Sequence, residues 1–293
     1  MTRHTPIGST LSSVAVRACG LCGDVRKMSK AHVPPRASGN TNVVLRAPDI
    51  VLNGVRQPGR WTAGGMWVRG LCQDCNNRAG NTFDVPYADF ARQVERLSTP
   101  IASRLAIVPG QAPAASFAPG LVSRSVLFGM FAINPRLRVI FPDLADDLRQ
   151  DSTRGAGQVR WPDQLSLTMA RTHAAFPGQG LLSSGVWSMR VLRERVVHWT
   201  FADIVWPPLT WCLVPSDREP ERLGLGPPIT SGLPDVSEWV KYGPDRTSVD
   251  LRNLIPTLPS FAHPMLNRTD DWVEFMTSDG SDGDAVIVFG KAP

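Results

Sequence analysis

Four cysteines stand in two short pairs, Cys19-Gly-Leu-Cys22 and Cys72-Gln-Asp-Cys75, and a histidine, His32, lies between them in the run Ser-Lys-Ala-His-Val-Pro-Pro-Arg. Two CxxC pairs bring four thiolates within reach of one tetrahedral zinc, the two intervening residues of each pair forming the turn that points both sulfurs inward. Cys19, Cys22, Cys72 and Cys75 therefore read as ligands of a structural Zn2+ that holds together a Gly-rich module with a thin apolar core. His32, enclosed by the two pairs, makes this a metal site that brackets a possible active site. The fifth cysteine, Cys212, sits in an apolar run beside Trp211 and reads as core.

The second pair is followed by Asn76-Asn77-Arg78-Ala79-Gly80-Asn81-Thr82-Phe83-Asp84. A helix beginning near Asp74 places Asn77, Asn81 and Asp84 on one face, at i, i+4 and i+7. Their oxygens suit a hard divalent cation. Gly80 and Pro86 predict that this helix is short or interrupted, and a second helix is expected from Tyr87 to Leu97, where Phe90, Val94 and Leu97 recur at helical spacing. For Asn76 and Asn77, capping the helix they open is an equally ordinary role.

The ordered strings CGLCG, SKAHVPPR and LCQDCNNRAG resemble the HNH endonuclease superfamily in its zinc-stabilised, treble-clef-like ββα form, over Cys19 to Asp84. The resemblance implies that His32 is the general base that readies water to attack a DNA phosphodiester. It also implies one Mg2+ or Mn2+ that stabilises charge on the phosphate and on the leaving oxygen. Asn76 matches the closing residue of the motif, with Asn77 its alternative, and Asn40 or Asn42 is the middle residue that orients the base. Many members carry an acid directly before the histidine. Here Ala31 stands there, and Asp84, with Asn81 and Asn77, is the substitute that spacing offers. Lys30, Arg36 and Arg78 flank the motif and are candidates to hold the phosphate backbone. If nothing replaces the missing acid, the same residues describe a zinc-stabilised module that grips nucleic acid without cutting it. A third reading is a structural protein with a zinc staple, whose C-terminal part meets a protein partner.

The elements that must position these groups point to an α+β chain. Residues 1–18 read as a flexible leader, 19–107 as the zinc module with its following helix, 108–119 as a Pro- and Ala-rich linker, and 120–293 as an α+β domain. Arg36 to Gly65 reads as an irregular excursion with one strand at Asn42 to Leu45, and Met66 to Leu71 as a strand returning to the metal. Leu121 to Ile133 is expected as a buried helix and Asp143 to Gln150 as an amphipathic one. Beyond them Leu165–Ala170, Trp187–Val191 and Val197–Phe201 alternate apolar and polar, as half-buried antiparallel strands do, and Trp211–Val214 and Ala285–Phe289 could add two more. Little long helix is expected with 26 prolines and 25 glycines in the chain.

Charge is uneven. Up to residue 110 there are 12 Arg and 2 Lys against 5 Asp and 1 Glu, whereas the remainder is slightly acidic, which suggests that the cysteine-bearing part meets a polyanion such as DNA. Phosphate-cradling loops, dinucleotide fingerprints, GxSxG and HExxH are absent from the sequence. The N-terminal run lacks the apolar core of a secretory signal and no window suits a membrane span, so a cytoplasmic protein with reduced thiols is expected.

Overall fold

The computed structural model describes residues 16–41, 45–46, 49–52, 55–58, 61–62, 64–98, 117–154, 159–172, 180–191, 195–216, 232–245, 258–261 and 285–291. Asn42 and residues 108–116 of the expected linker lie outside them. Two short strands, β1 (Val16–Ala18) and β2 (Val25–Lys27), pair antiparallel around the first cysteine pair, so the stretch read as leader is already strand at Val16. Within the knuckle the Cys19 amide donates to the Asp24 carbonyl at 3.0 Å and the Gly23 amide to the Cys19 carbonyl at 2.9 Å. Gly23 turns the chain at φ +78°, a conformation that costs a side chain but not glycine.

The strand β3 (Ala31–His32) carries the histidine. Four short strands follow, β4 (Leu45–Arg46), β5 (Asp49–Leu52), β6 (Val55–Pro58) and β7 (Trp61–Thr62), before β8 (Trp67–Val68) returns to pair with β3 and leads into the helix α1 (Gln73–Ser98). A β–β–α unit is thus assembled around the cysteines, with a long insertion between its strands.

The helix α1 corrects two expectations, because its 26 residues run unbroken through Gly80 and Pro86. Phe83, Tyr87, Phe90 and Val94 form its inward stripe and none is more than 2% exposed. They meet a wall of rings: Phe83 lies on Phe128 at 5.3 Å, Phe90 on Phe117 at 4.6 Å, and Tyr87 and Phe90 both face Trp211. Burying such side chains contributes roughly 1.5–3 kcal/mol each. The sum outweighs the ~3 kcal/mol cost of one interior proline.

After residue 117 the chain forms α2 (Pro119–Ile133), α3 (Leu137–Ile140) and α4 (Pro142–Arg154). Pro119 suits the first turn of α2, where its missing amide would have no helical partner. Nearly all of α2 is buried, because it lies between the cysteine module and the sheet and touches α1, β3 and two sheet strands.

The sheet is built on β9 (Leu165–Thr172), β10 (Gly180–Val191), β11 (Arg195–Trp206) and β12 (Leu209–Pro215), antiparallel in the order β9-β12-β11-β10. A short β13 (Ser260–Phe261) joins β9 in parallel, and β14 (Ala285–Lys291) joins β10. β14 also pairs with β4 and β5, so the stretch expected as irregular excursion instead extends the sheet. The strands are not half-buried throughout: Leu209 to Val214 is buried at every position. Trp211 faces the helices, while Ser183, Asp203, Cys212 and Thr168 stand in one register row across four strands, each no more than 5% exposed. Hydrogen bonding inside the row makes that burial tolerable, as where Ser183 Oγ donates to Asp203 Oδ2 at 2.7 Å. One contiguous cluster of buried side chains runs from Cys19 and Leu21 through α1 and α2 to Trp211 and Leu258. Among the described residues no helix is long and apolar enough to cross a membrane.

Candidate metal centre and adjoining cleft

Cys19 and Cys22 come from the β1–β2 knuckle, and Cys72 and Cys75 from the start of α1. Their four sulfurs all lie within 4.8 Å of one another. The Sγ atoms of Cys22 and Cys72 are 3.9 Å apart, far beyond the ~2.05 Å of a disulfide. A tetrahedral zinc with bonds of about 2.3 Å separates its sulfurs by about 3.8 Å. The donor set fits that ion chemically as well. The Cys19 thiol is pushed down to about 5, first by the hydrogen bond from Cys75 and then by the amides of Cys72, Cys22 and Leu21, against the effect of burial. Cys22 is pushed up to about 12 by burial and by its anionic neighbours, and Cys75 is raised by its bond to Cys19 and by burial. Four sulfurs packed this closely cannot all ionise alone, and a soft divalent cation allows them to. The Cys72 amide, 3.3 Å from Cys19 Sγ, fixes the orientation of that ligand.

Two glycines seat this centre on the rest of the chain. The Gly20 amide donates to the Gly70 carbonyl at 2.8 Å, closing the knuckle onto the strand that returns to it. A Cβ at Gly20 would collide with the Phe131 carbonyl, and one at Gly70 with the Ala132 carbonyl. The last turn of α2 therefore rests directly on glycine backbone.

A cleft of about 210 Å³ opens beside the metal centre. It is lined by Ala31 and His32 from β3, Asn76, Asn77, Asn81 and Asp84 from α1, and Lys30 and Arg36 from the segments flanking β3. Arg78 is exposed on α1 and does not line it. α2 and β11 contribute Ser125, Val126, Phe128, Ala132 and Ile204 to the same lining. At Gly129 these elements meet, since a Cβ there would lie 3.0 Å from Val33 Cγ1 and 3.1 Å from Ile204 Cδ1.

His32 is half-buried, and its Nε2 donates to the Gly64 carbonyl at 3.0 Å. A carbonyl can only accept, so the proton sits on Nε2 and Nδ1 keeps its lone pair. Burial holds the imidazole below the ordinary histidine range, and the Arg36 and Lys30 charges add to this against the Gly64 bond. The ring is thus neutral at neutral pH. Gly64 carries no side chain to attract notice in the sequence, but the Gly64-Gly65 pair is a signal of special backbone, and both residues adopt φ near +88°.

Asn40 is fully buried and spends its side-chain hydrogen bonds on backbone. Its Nδ2 donates to the carbonyls of Pro34 at 2.7 Å and Met66 at 2.8 Å, and its Oδ1 accepts from the Met66 amide. It clamps the segment after His32 to the loop that presents the Gly64 carbonyl. A Cβ at Gly65 would collide with that same Oδ1.

On α1, Asn76 and Asn77 sit a turn inside the helix and do not cap it. Asn76 Nδ2 donates to the Lys30 carbonyl at 2.9 Å, tying the helix to the strand of the histidine, and Asn77 Oδ1 accepts from Gln73 at 2.5 Å. Asp84 is the acid of the cleft. Its carboxyl reaches back over Gly80, where a Cβ would stand 3.4 Å from Oδ2, and burial pushes it up to about 6. Lys30 Nζ lies 4.4 Å from the Trp67 ring centroid, and the Arg69 guanidinium is 5.5 Å from the same ring.

The class that fold and site define is therefore an α+β chain with a buried four-cysteine metal centre, compatible with structural zinc, beside a histidine-bearing polar cleft. No protein-family model, curated protein or solved structure matches the chain.

Proposed function

We propose that the chain is a metal-dependent endonuclease of HNH type that hydrolyses phosphodiester bonds in DNA, with His32 as general base. The observation that carries the reading is the His32–Gly64 hydrogen bond, which leaves a neutral imidazole with a free Nδ1 beside a polar cleft. The β3–β8–α1 order around the four cysteines supports it, and so do the asparagines of α1 in the same lining.

A hard cation, Mg2+ or Mn2+, would supply positive charge to the attacked phosphate and the leaving oxygen. Asp84 is the residue to hold it, with Asn81 and Asn77 as further oxygen donors, and it lines the same cleft as Ala31, where the usual acid is missing. His32 accepts the proton of the attacking water at Nδ1 while Gly64 fixes the plane of the ring. Asn76 keeps α1 against β3, and Lys30 and Arg36 hold the strand at the mouth.

The test is cleavage of plasmid DNA by zinc-loaded protein with Mg2+ or Mn2+ added, comparing wild type with His32→Ala and Asp84→Asn. Loss in both variants, with zinc retained, supports the reading; intact DNA with the wild type refutes it. Ala31 favours a second reading, a zinc-stabilised module that binds nucleic acid without cutting. That module would show salt-dependent DNA affinity unaffected by His32→Ala.

A further inference from the structure

The ribbon that carries His32 has two unlike faces. His32 pairs with Trp67 and Ala31 with Val68, and alternation along a strand sends the two pairs to opposite sides. Ala31 and Val68 are 3% and 0% exposed and belong to the core. The other side reaches solvent: Lys30 is exposed, and His32, Trp67 and Arg69 are half-buried. Lys30 and Arg69 converge there on one ring, the ammonium 4.4 Å and the guanidinium 5.5 Å from the Trp67 centroid. The two charges are therefore within about 10 Å of each other, a Debye length at moderate salt.

No acid balances them. Among the described residues neither Lys30 nor Arg69 forms an ion pair, and Asp24 and Asp74, the acids beside the cysteine pairs, are both held by Arg26. Arg17 adds positive charge from β1: its Nη2 donates to the Arg69 carbonyl, and burial, then the Arg69 charge, brings it down to about 10. Both cations are held in place. Arg69 Nη1 donates to the Met28 carbonyl at 3.2 Å, and the Lys30 backbone is tied to α1 through Asn76. The Trp67 Nε1 is buried without a partner, so the indole offers carbon outward and no hydrogen bond. Lys30 and His32 line the cleft, whereas Trp67 and Arg69 do not, so the basic face starts at the cleft and continues outside it.

We propose that this face carries the nucleic-acid strand where it leaves the cleft, with Lys30 and Arg69 holding its phosphates and Trp67 as the positioning residue that fixes both cations. The inference rests on the nucleic-acid partner of the reading above, and adds the path of the strand. Two cations on a carbon surface meet phosphate and read no base, so the contact is independent of sequence.

The experiment uses the full, zinc-loaded chain without Mg2+ or Mn2+ and an end-labelled DNA oligonucleotide, with affinity followed by anisotropy from about 50 to 200 mM salt. Lys30→Gln and Arg69→Gln should each weaken binding about fivefold near physiological salt and lower the slope of log affinity against log salt by about 1. Lys27→Gln removes the same charge from β2 and should do neither. Trp67→Leu leaves the net charge unchanged and should still weaken binding about fivefold, while Trp67→Phe, which keeps a ring face, should recover most of the loss. Zinc content and melting report whether Trp67→Leu is folded; Lys30 is exposed, so its variant carries the test if it is not. Wild-type binding in Lys30→Gln and Arg69→Gln, or in folded Trp67→Leu, overturns the inference. So does an equal effect of Lys27→Gln, or no recovery in Trp67→Phe. Weakened binding in the variants, with DNA left intact by the wild type on adding Mg2+, refutes the nuclease and keeps the surface; cleavage by the wild type with binding unchanged in the variants does the reverse.

Discussion

The Nε2–H of His32 is directed at the carbonyl of Gly64, 3.0 Å away and 32 residues along the chain, so the tautomer of the ring is set by backbone. Burial, and after it the neighbouring charges of Arg36 and Lys30, hold the imidazole below the ordinary histidine range. Arg36→Gln and Lys30→Gln should therefore raise the His32 pKa, moving the acid limb of the pH–rate profile to higher pH. NMR titration of the imidazole checks this directly, and the shift should shrink in high salt because both charges are exposed. A titration that ignores both substitutions contradicts the assignment.

Removing zinc should unfold more than the knuckle. Purified chain is expected to carry one zinc bound by Cys19, Cys22, Cys72 and Cys75, and a strong chelator should abolish its cooperative melting. Cys75→Ser should lower zinc content, whereas Cys212→Ser, in the sheet, should leave it unchanged. Elemental analysis beside thermal melts distinguishes the two.

Asp84 gives a pH signature. Its folded carboxyl titrates at about 6 against an ordinary 3.8, so between those values the folded chain holds a proton that the unfolded chain has released. Stability contributed by the protonated form is complete below pH 4 and is lost as pH rises to 6. Asp84→Asn should thus be more stable than wild type above pH 6, by on the order of 2 kcal/mol, and no more stable near pH 4. Urea unfolding at the two pH values measures the difference. Mg2+ or Mn2+ should narrow the gap at neutral pH by stabilising only the wild type.

Asn40→Ala should lower stability by roughly 3 kcal/mol, because it strips buried backbone groups of Pro34 and Met66 of their partners. It should also slow cleavage by loosening the loop that carries Gly64. Asn40→Asp keeps the acceptor and loses the donor, so it should not rescue.

The cysteine pairs, the enclosed histidine and the i, i+4, i+7 face of α1 were legible because each depends on spacing within a few residues. The length of α1 was not, since Gly80 and Pro86 are local breakers overruled by Phe83, Tyr87, Phe90 and Val94 meeting rings contributed from as far away as Trp211. Beyond the one strand expected at Asn42 to Leu45, the strands up to Thr62 were missed for a related reason: β4 and β5 pair with β14, which begins at Ala285, and β7 and β6 pair in turn with β4 and β5. The Gly64 carbonyl carries no side-chain signature at all.

The carbonyls of Phe131 and Ala132, seated on Gly20 and Gly70, bear on how such a chain can be altered by recombination or design. Small zinc modules are often treated as portable parts that can be cut out and joined to a new host. This one is open to solvent on one side of the knuckle and closed on the other, where the end of α2 serves as its floor. A graft of residues 19–98 would bring bare glycine backbone to any new neighbour, and a host without a matching helix end would leave it open to water. The unit that can be inherited or transplanted intact therefore reaches at least from Val16 to Ile133.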